Sequence, residues 1–272
     1  HKPGKRDLLR YVMIMLAAVA ALVAWPVASE TGAKKVIVGA QLTGLFHIPG
    51  EHQGSGVYYE ILQRALVESG LADQVEIIVM PMSRAKRGFV NKQFACYAPG
   101  IATFDLEDAS LDLQDVLISV PLNKAMVRVI SRDEQHLVRQ ASDIPDQAVL
   151  SIVRGTPLSS EMQGIAERVM HLFEVSSETE NVQMLKDHKV DYIFSFYPDV
   201  LFAYEELGMS ELPYDKAFSP LTMRDTLVCH PGHERLFKAI NNKLEEFTRS
   251  GVLKQMLGDL NMFAEPQAPG NQ

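Results

Sequence analysis

The residues able to do chemistry gather where apolar runs end. "TLVCHPGH" sets Cys229, His230 and His233 close together. Structural zinc needs four such donors and a catalytic zinc three plus water, so turn residues beside a strand end are the simpler reading. No HExxH, GxSxG or P-loop pattern occurs, nor a GxGxxG opening a helix, which removes the commonest hydrolase and nucleotide chemistries. The remaining clusters suit holding a ligand. "KVDYIFSFYPD" ends on Ser195, Phe196 and Tyr197, and "AVLSIVRGT" on Gly155 and Thr156, where a helix should begin. Free N–H groups at a helix start suit an anionic or strongly polar group, although Thr156 reads equally well as a plain N-cap. Arg84 follows "QVEIIVMP" and Arg128 sits within "AMVRVIS". Each offers a guanidinium that can fork onto a carboxylate, and each reads equally as a residue with no ligand role. Tyr97 closes "FACY", and Phe46 with His47 occupies the loop after "KKVIVGA".

These clusters need strands to carry them. "KKVIVGA", "QVEIIVMP" and "FACYAPG" alternate with the helical patterns "SGVYYEILQRALVESG" and "SRAKRGFVNKQ". Tyr58, Ile61, Leu62, Ala65 and Leu66 form the apolar stripe of the first helix, with Ser55 as its expected cap and Gly70 at its end. This βαβαβ order is that of a parallel sheet with crossover helices. After the extended "VLISVP" and "AMVRVIS" a second unit begins with the strand "AVLSIVRG". A helix over "TPLSSEMQGIAERVMHLF", with Thr156 as cap and Pro157 in its first position, a helix over "ETENVQMLKDH" and the strand "VDYIFSF" complete it. The chain ends with the strand "TLVCHPG" and a helix carrying Leu236, Ile240, Leu244 and Phe247 on one stripe, closed by Gly251.

Residues 1–29 have the layout of a secretory signal peptide: Lys2, Lys5, Arg6 and Arg10, the apolar "YVMIMLAAVAALVAW", then "PVAS". A retained anchor is the alternative, but the run is shorter than the ~20 residues of a spanning helix. Cleavage is expected after Ser29 or Ala28, and no cysteine stands there to accept lipid. Removal leaves 22 Lys and Arg against 33 Asp and Glu, a balance that argues against nucleic acid or anionic lipid as partner. The two cysteines, Cys96 and Cys229, would meet an oxidising compartment, where a pair invites a disulfide.

The order of segments resembles the bacterial solute-binding protein family 3, extracytoplasmic receptors of polar amino acid uptake. The matching pieces are "GVYYEILQRALVESGL", "MPMSRAKRGFVNKQFACY", "LISVPLNKAMVRVIS", "AVLSIVRGT", "LKDHKVDYIFSF" and "LFKAINNKLEEFTRSGVLKQML", over roughly 34 to 262. The resemblance implies a two-lobed α/β clamshell of type II. Lobe one would be 30–125 plus 229–263, lobe two 126–228, and 264–272 a polar tail. Third and returning strands would be neighbours, bringing Cys96 to Cys229. Ser195, Phe196 and Tyr197 would face the cleft, as would Phe46, His47, Arg84, Tyr97, Arg128 and Thr156. Members that bind α-amino acids carry an Asp at the Phe196 position and an Arg after the third strand, whereas "GIATFDLEDASLDLQD" has none. A small polar or anionic organic ligand is therefore expected, with no cofactor, in a periplasmic monomer serving a membrane permease or a sensor kinase. The alternatives are a lyase or dehydratase on the same fold and a degenerate receptor acting by protein contact.

Overall fold

The computed structural model describes residues 33–47, 56–104 and 115–264. The expected signal segment 1–29, Ser55, most of "GIATFDLEDASLDLQD" and nearly all of the expected tail lie outside the described residues. The described residues from Lys34 onward form one compact unit.

The first sheet contains β1 (Lys35–Ala40), β2 (Val75–Met80), β3 (Cys96–Ala98), β4 (Leu117–Ile118) and β10 (Val228–Cys229), in the order β2-β1-β3-β10-β4. β1 runs parallel to both β2 and β3, while β10 returns antiparallel between β3 and β4. On one face lie α1 (Val57–Glu68), α6 (Glu234–Ser250) and α7 (Val252–Leu257). They bury the two expected stripes: Tyr58, Ile61, Leu62, Ala65 and Leu66 from α1, and Leu236, Ile240, Leu244 and Phe247 from α6. Gly251 ends α6 with φ of 80°, a left-handed turn that a side chain would strain. The other face is covered by α2 (Met82–Val90), through Met82, Ala85 and Phe89. Cys229 pairs with Cys96 in the β3–β10 register, and the two form a disulfide.

The second sheet has the order β7-β6-β8-β5-β9, from β5 (Asn123–Ser131), β6 (Val149–Val153), β7 (His171–Val175), β8 (Tyr192–Tyr197) and β9 (Leu221–Asp225). β6 is parallel to β7 and β8, and β5 antiparallel to β8 and β9. α3 (Ser160–Arg168) packs on one face, α4 (Glu178–Lys186) and α5 (Val200–Glu206) on the other. The chain passes between sheets at 119–122 and at 226–227. The outward crossing thus comes a few residues before the expected 125. These two segments run side by side, joined by Ser119 N to Leu227 O at 2.9 Å and Leu122 N to Asp225 O at 2.7 Å.

Three expectations are corrected. The third helix starts at Ser160, not Pro157, and its cap is Ser159 rather than Thr156, with Ser159 Oγ accepting from Met162 N at 3.1 Å. "HLF" does not continue that helix but forms the edge strand β7. The segment 258–264 packs Met262 into the lobe-two cluster, fixed by Met262 N to Asn123 Oδ1 at 3.1 Å, so it does not belong wholly to lobe one.

Candidate functional site

The carboxyl ends of the parallel strands in both sheets face one cavity of about 820 Å³. Its walls are the loop after β1, the start of α2, the turn after β6, the start of α4, and Phe196 with Asp199 beyond β8. Loops from separate strands converging at such ends form the usual ligand position in open α/β sheets.

Of the expected residues, Phe196 and His47 line this cavity. Phe196 and Tyr197 must face opposite ways because side chains alternate along a strand. Tyr197 therefore enters the lobe-two core, its ring 4.7 Å from that of Tyr214 and its hydroxyl donating to Glu211 Oε2 at 3.1 Å. Phe46 is fully buried beneath Gly39 and edge-on to Tyr58, with ring centroids 5.6 Å apart, in the lobe-one core and not in the cavity lining. Tyr97 is likewise buried, its hydroxyl paired with Thr103 Oγ1 at 2.8 Å and its ring against Phe104. Arg84 on α2 is exposed and is not among the residues lining the cavity. Arg128, 1 % exposed, donates from Nη1 to the carbonyls of Lys216 at 2.8 Å and Phe218 at 3.0 Å and lies over the Tyr214 ring. It anchors segment 214–218 to lobe two. Thr156 is buried in the turn after β6, and its hydroxyl makes no hydrogen bond among the described residues. In the "CHPGH" cluster, Cys229 is in the disulfide and His230 stacks on Phe89 and binds its carbonyl at 2.6 Å.

Ser195 belongs to a buried network that residue types alone did not disclose. Its hydroxyl donates to Glu178 Oε2, while Glu178 Oε1 accepts from Phe196 N at 2.8 Å. Asn181 gives Nδ2 to Phe194 O at 2.8 Å and to Glu178 Oε2 at 3.3 Å, and its Oδ1 accepts from Ser151 at 2.6 Å. Burial pushes the Glu178 carboxyl up to about 7, against the opposing pull of these donors.

Three more residues join the lobes. The Asp199 carboxylate accepts from Thr43 N at 2.7 Å, Gly44 N at 2.8 Å and Leu45 N at 3.3 Å. Lys86 Nζ on α2 donates to Gly155 O at 2.9 Å. At the hinge, the Tyr58 hydroxyl donates to Asp225 Oδ2. Burial raises both the Asp199 and the Asp225 carboxyl, the latter to about 7. Behind Phe196, among Leu45, Met82 and Met223, the remaining space is about 10 Å³, room for roughly one water.

No protein-family model matches this sequence, and no curated protein matches it. Solved structures do. A mutant of ArgBP from T. maritima superposes with a TM-score of 0.64 at 12% identity, over 84% of this chain and 94% of that one. The GluR0 ligand-binding core from Nostoc punctiforme in complex with L-glutamate also gives 0.64, at 13% identity, over 85% of this chain and 100% of that one. The chain has the type II periplasmic-binding-protein fold. The ancestral amino acid-binding protein AncCDT-1, a precursor of cyclohexadienyl dehydratase, shares it with a TM-score of 0.62 at 14% identity, over 84% of this chain and 94% of that one. On this fold the paired segments at 119–122 and 226–227 take the position of a hinge, with the 820 Å³ cavity in the cleft beside it.

Proposed function

We propose that the protein is an extracytoplasmic solute-binding receptor that takes a small polar or anionic organic molecule into the cleft and presents it to a membrane permease or a sensor kinase. The observation that carries this reading is the cavity at the convergent strand ends of two sheets joined by a paired crossover. A ligand touching both walls shifts the balance between open and closed arrangements in proportion to its preference for the closed one. Phe196 and His47 are its first contacts, with the Thr156 hydroxyl a further one in an opened cleft.

A free α-amino acid fits poorly. Phe196 offers no counter-charge to an ammonium, and the Glu178 and Asp199 carboxylates already face protein donors. Arg128 is committed to carbonyls, but Arg154 lines the cavity, and its exposed pairing with Glu174 at 3.2 Å is weak enough to yield to a ligand carboxylate, so it is the ammonium that lacks a partner. Native mass spectrometry of gently purified protein tests the reading: a bound small molecule of defined mass is expected, and repeated preparations carrying none, with no stabilisation by any candidate, would defeat it.

One observation favours a second reading. Glu178, on the cavity wall with its carboxyl near neutrality, has the property of a general acid, as a lyase on this fold would need. Turnover of a candidate hydroxy acid that Glu178→Gln abolishes would select that reading over the receptor.

A further inference from the structure

The loop after β1 directs three successive backbone N–H groups, of Thr43, Gly44 and Leu45, at one carboxylate, that of Asp199 from the opposite lobe. Consecutive N–H groups turned to one side make an anion-binding concavity, and their bonds to a charged oxygen are stronger than neutral ones. Asp199 is 2 % exposed, so its carboxylate is held in the site away from solvent. A second contact supports the same junction: the Phe202 ring, one turn beyond Asp199, lies on Gly44 so closely that a Cβ there would overlap it.

We propose that the Thr43–Leu45 N–H groups are a carboxylate-binding site of lobe one that Asp199 occupies as a built-in ligand, so that the chain latches its own cleft. An external small carboxylate then enters this site only by taking the place of Asp199. The identity of that competitor rests on the receptor reading above, whereas the latch itself does not.

Small-angle scattering of the full chain tests this, comparing sodium acetate with sodium chloride at equal pH and ionic strength. The wild type should keep the radius of gyration of a compact chain this size, about 18 Å, in both salts. Asp199→Ala should expand and stay expanded in both salts, because free acetate can refill the site but is not tied to lobe two, while acetate and not chloride should raise its melting temperature by refilling the site. Gly44→Ala should expand and stay expanded in acetate, since its methyl wedges against Phe202. Cooperative melting checks that each variant is folded. A folded Asp199→Ala with the wild-type radius overturns the latch, and an expanded one whose melting temperature is indifferent to acetate overturns the carboxylate site. If Asp199→Ala does not fold, Gly44→Ala decides: the wild-type radius there overturns the latch. The receptor reading fails by a different result, the absence of any bound or stabilising small molecule.

Discussion

The two lobes each hold five strands between helices, yet they are secured by different means. Lobe one is apolar on both faces, and a covalent bond joins β3 to β10 across a sequence separation of 133 residues. Lobe two has apolar faces too, but its central strand β8 is fastened to α4 by the Glu178, Asn181, Ser151 and Ser195 network, and Arg128 holds an outer segment by its carbonyls. The difference teaches where perturbations should register. Lobe one should answer to reduction and lobe two to pH and to loss of a single polar partner.

Reduction is the strongest way to break the comparison. Closing a loop of this length withholds about 5 kcal/mol of chain entropy from the unfolded state in the entropic model, before any native strain is subtracted. A thermal melt of the Cys96→Ala, Cys229→Ala double variant should therefore fall well below wild type. An unchanged melting temperature would mean that the bond contributes nothing to lobe one.

Titration acts on lobe two and the hinge. Glu178 and Asp225 have native carboxyls near 7, above the ordinary 4.5 and 3.8. Below those ordinary values both states hold the protons, so neither group alters stability. As pH rises from about 4 to 7, the unfolded chain releases protons that the folded one keeps. Stability should therefore fall over that window, by ~1 kcal/mol per pH unit for each group, and level off above it. Denaturant unfolding across this range should show the decline, with Glu178→Gln removing the lobe-two share and Asp225→Asn the hinge share. A flat profile in the wild type would contradict the burial of these acids.

Asn181→Ala should cost about 2 to 3 kcal/mol, because it strands the Phe194 carbonyl and a share of the Glu178 and Ser151 bonding in a dry interior. Urea unfolding measures it, and a loss below 0.5 kcal/mol would show the network to be dispensable. The smallest effect compares equivalent positions just past α2 and α4. Lys92 in lobe one and His188 in lobe two are left-handed, with φ of 56° and 58°. Lys92→Gly should stabilise by up to ~1 kcal/mol. His188→Gly should gain less, since it also removes the imidazole contact with Arg132. Equal gains in the two melts would mean that contact has no weight.

What was legible in the sequence follows from this contrast. Apolar stripes such as Leu236, Ile240, Leu244 and Phe247 announce a core because their spacing has one physical use. β7 escaped because an edge strand with mostly exposed side chains has no alternation, and "HLF" prolongs the helical spacing ahead of it. The cleft was harder. A core aromatic and a cleft-lining one look alike in sequence, so residue type does not separate the fully buried Phe46 and Tyr97 from Phe196, which lines the cavity. Arg128 finds carbonyls 88 and 90 residues away, and Asp199 finds backbone N–H groups, partners that no residue type betrays.

On the proposed receptor reading, the cleft takes a small organic molecule other than an amino acid, against the wall that Phe196 supplies. A thermal-shift panel of the twenty common amino acids and small organic acids tests it most directly. A ligand at 100 times its Kd adds about 2.7 kcal/mol to the folded state. Such a shift is expected for an organic acid, lost in Phe196→Ala, and none for the amino acids. An amino acid that stabilises wild type and Phe196→Ala equally would contradict it.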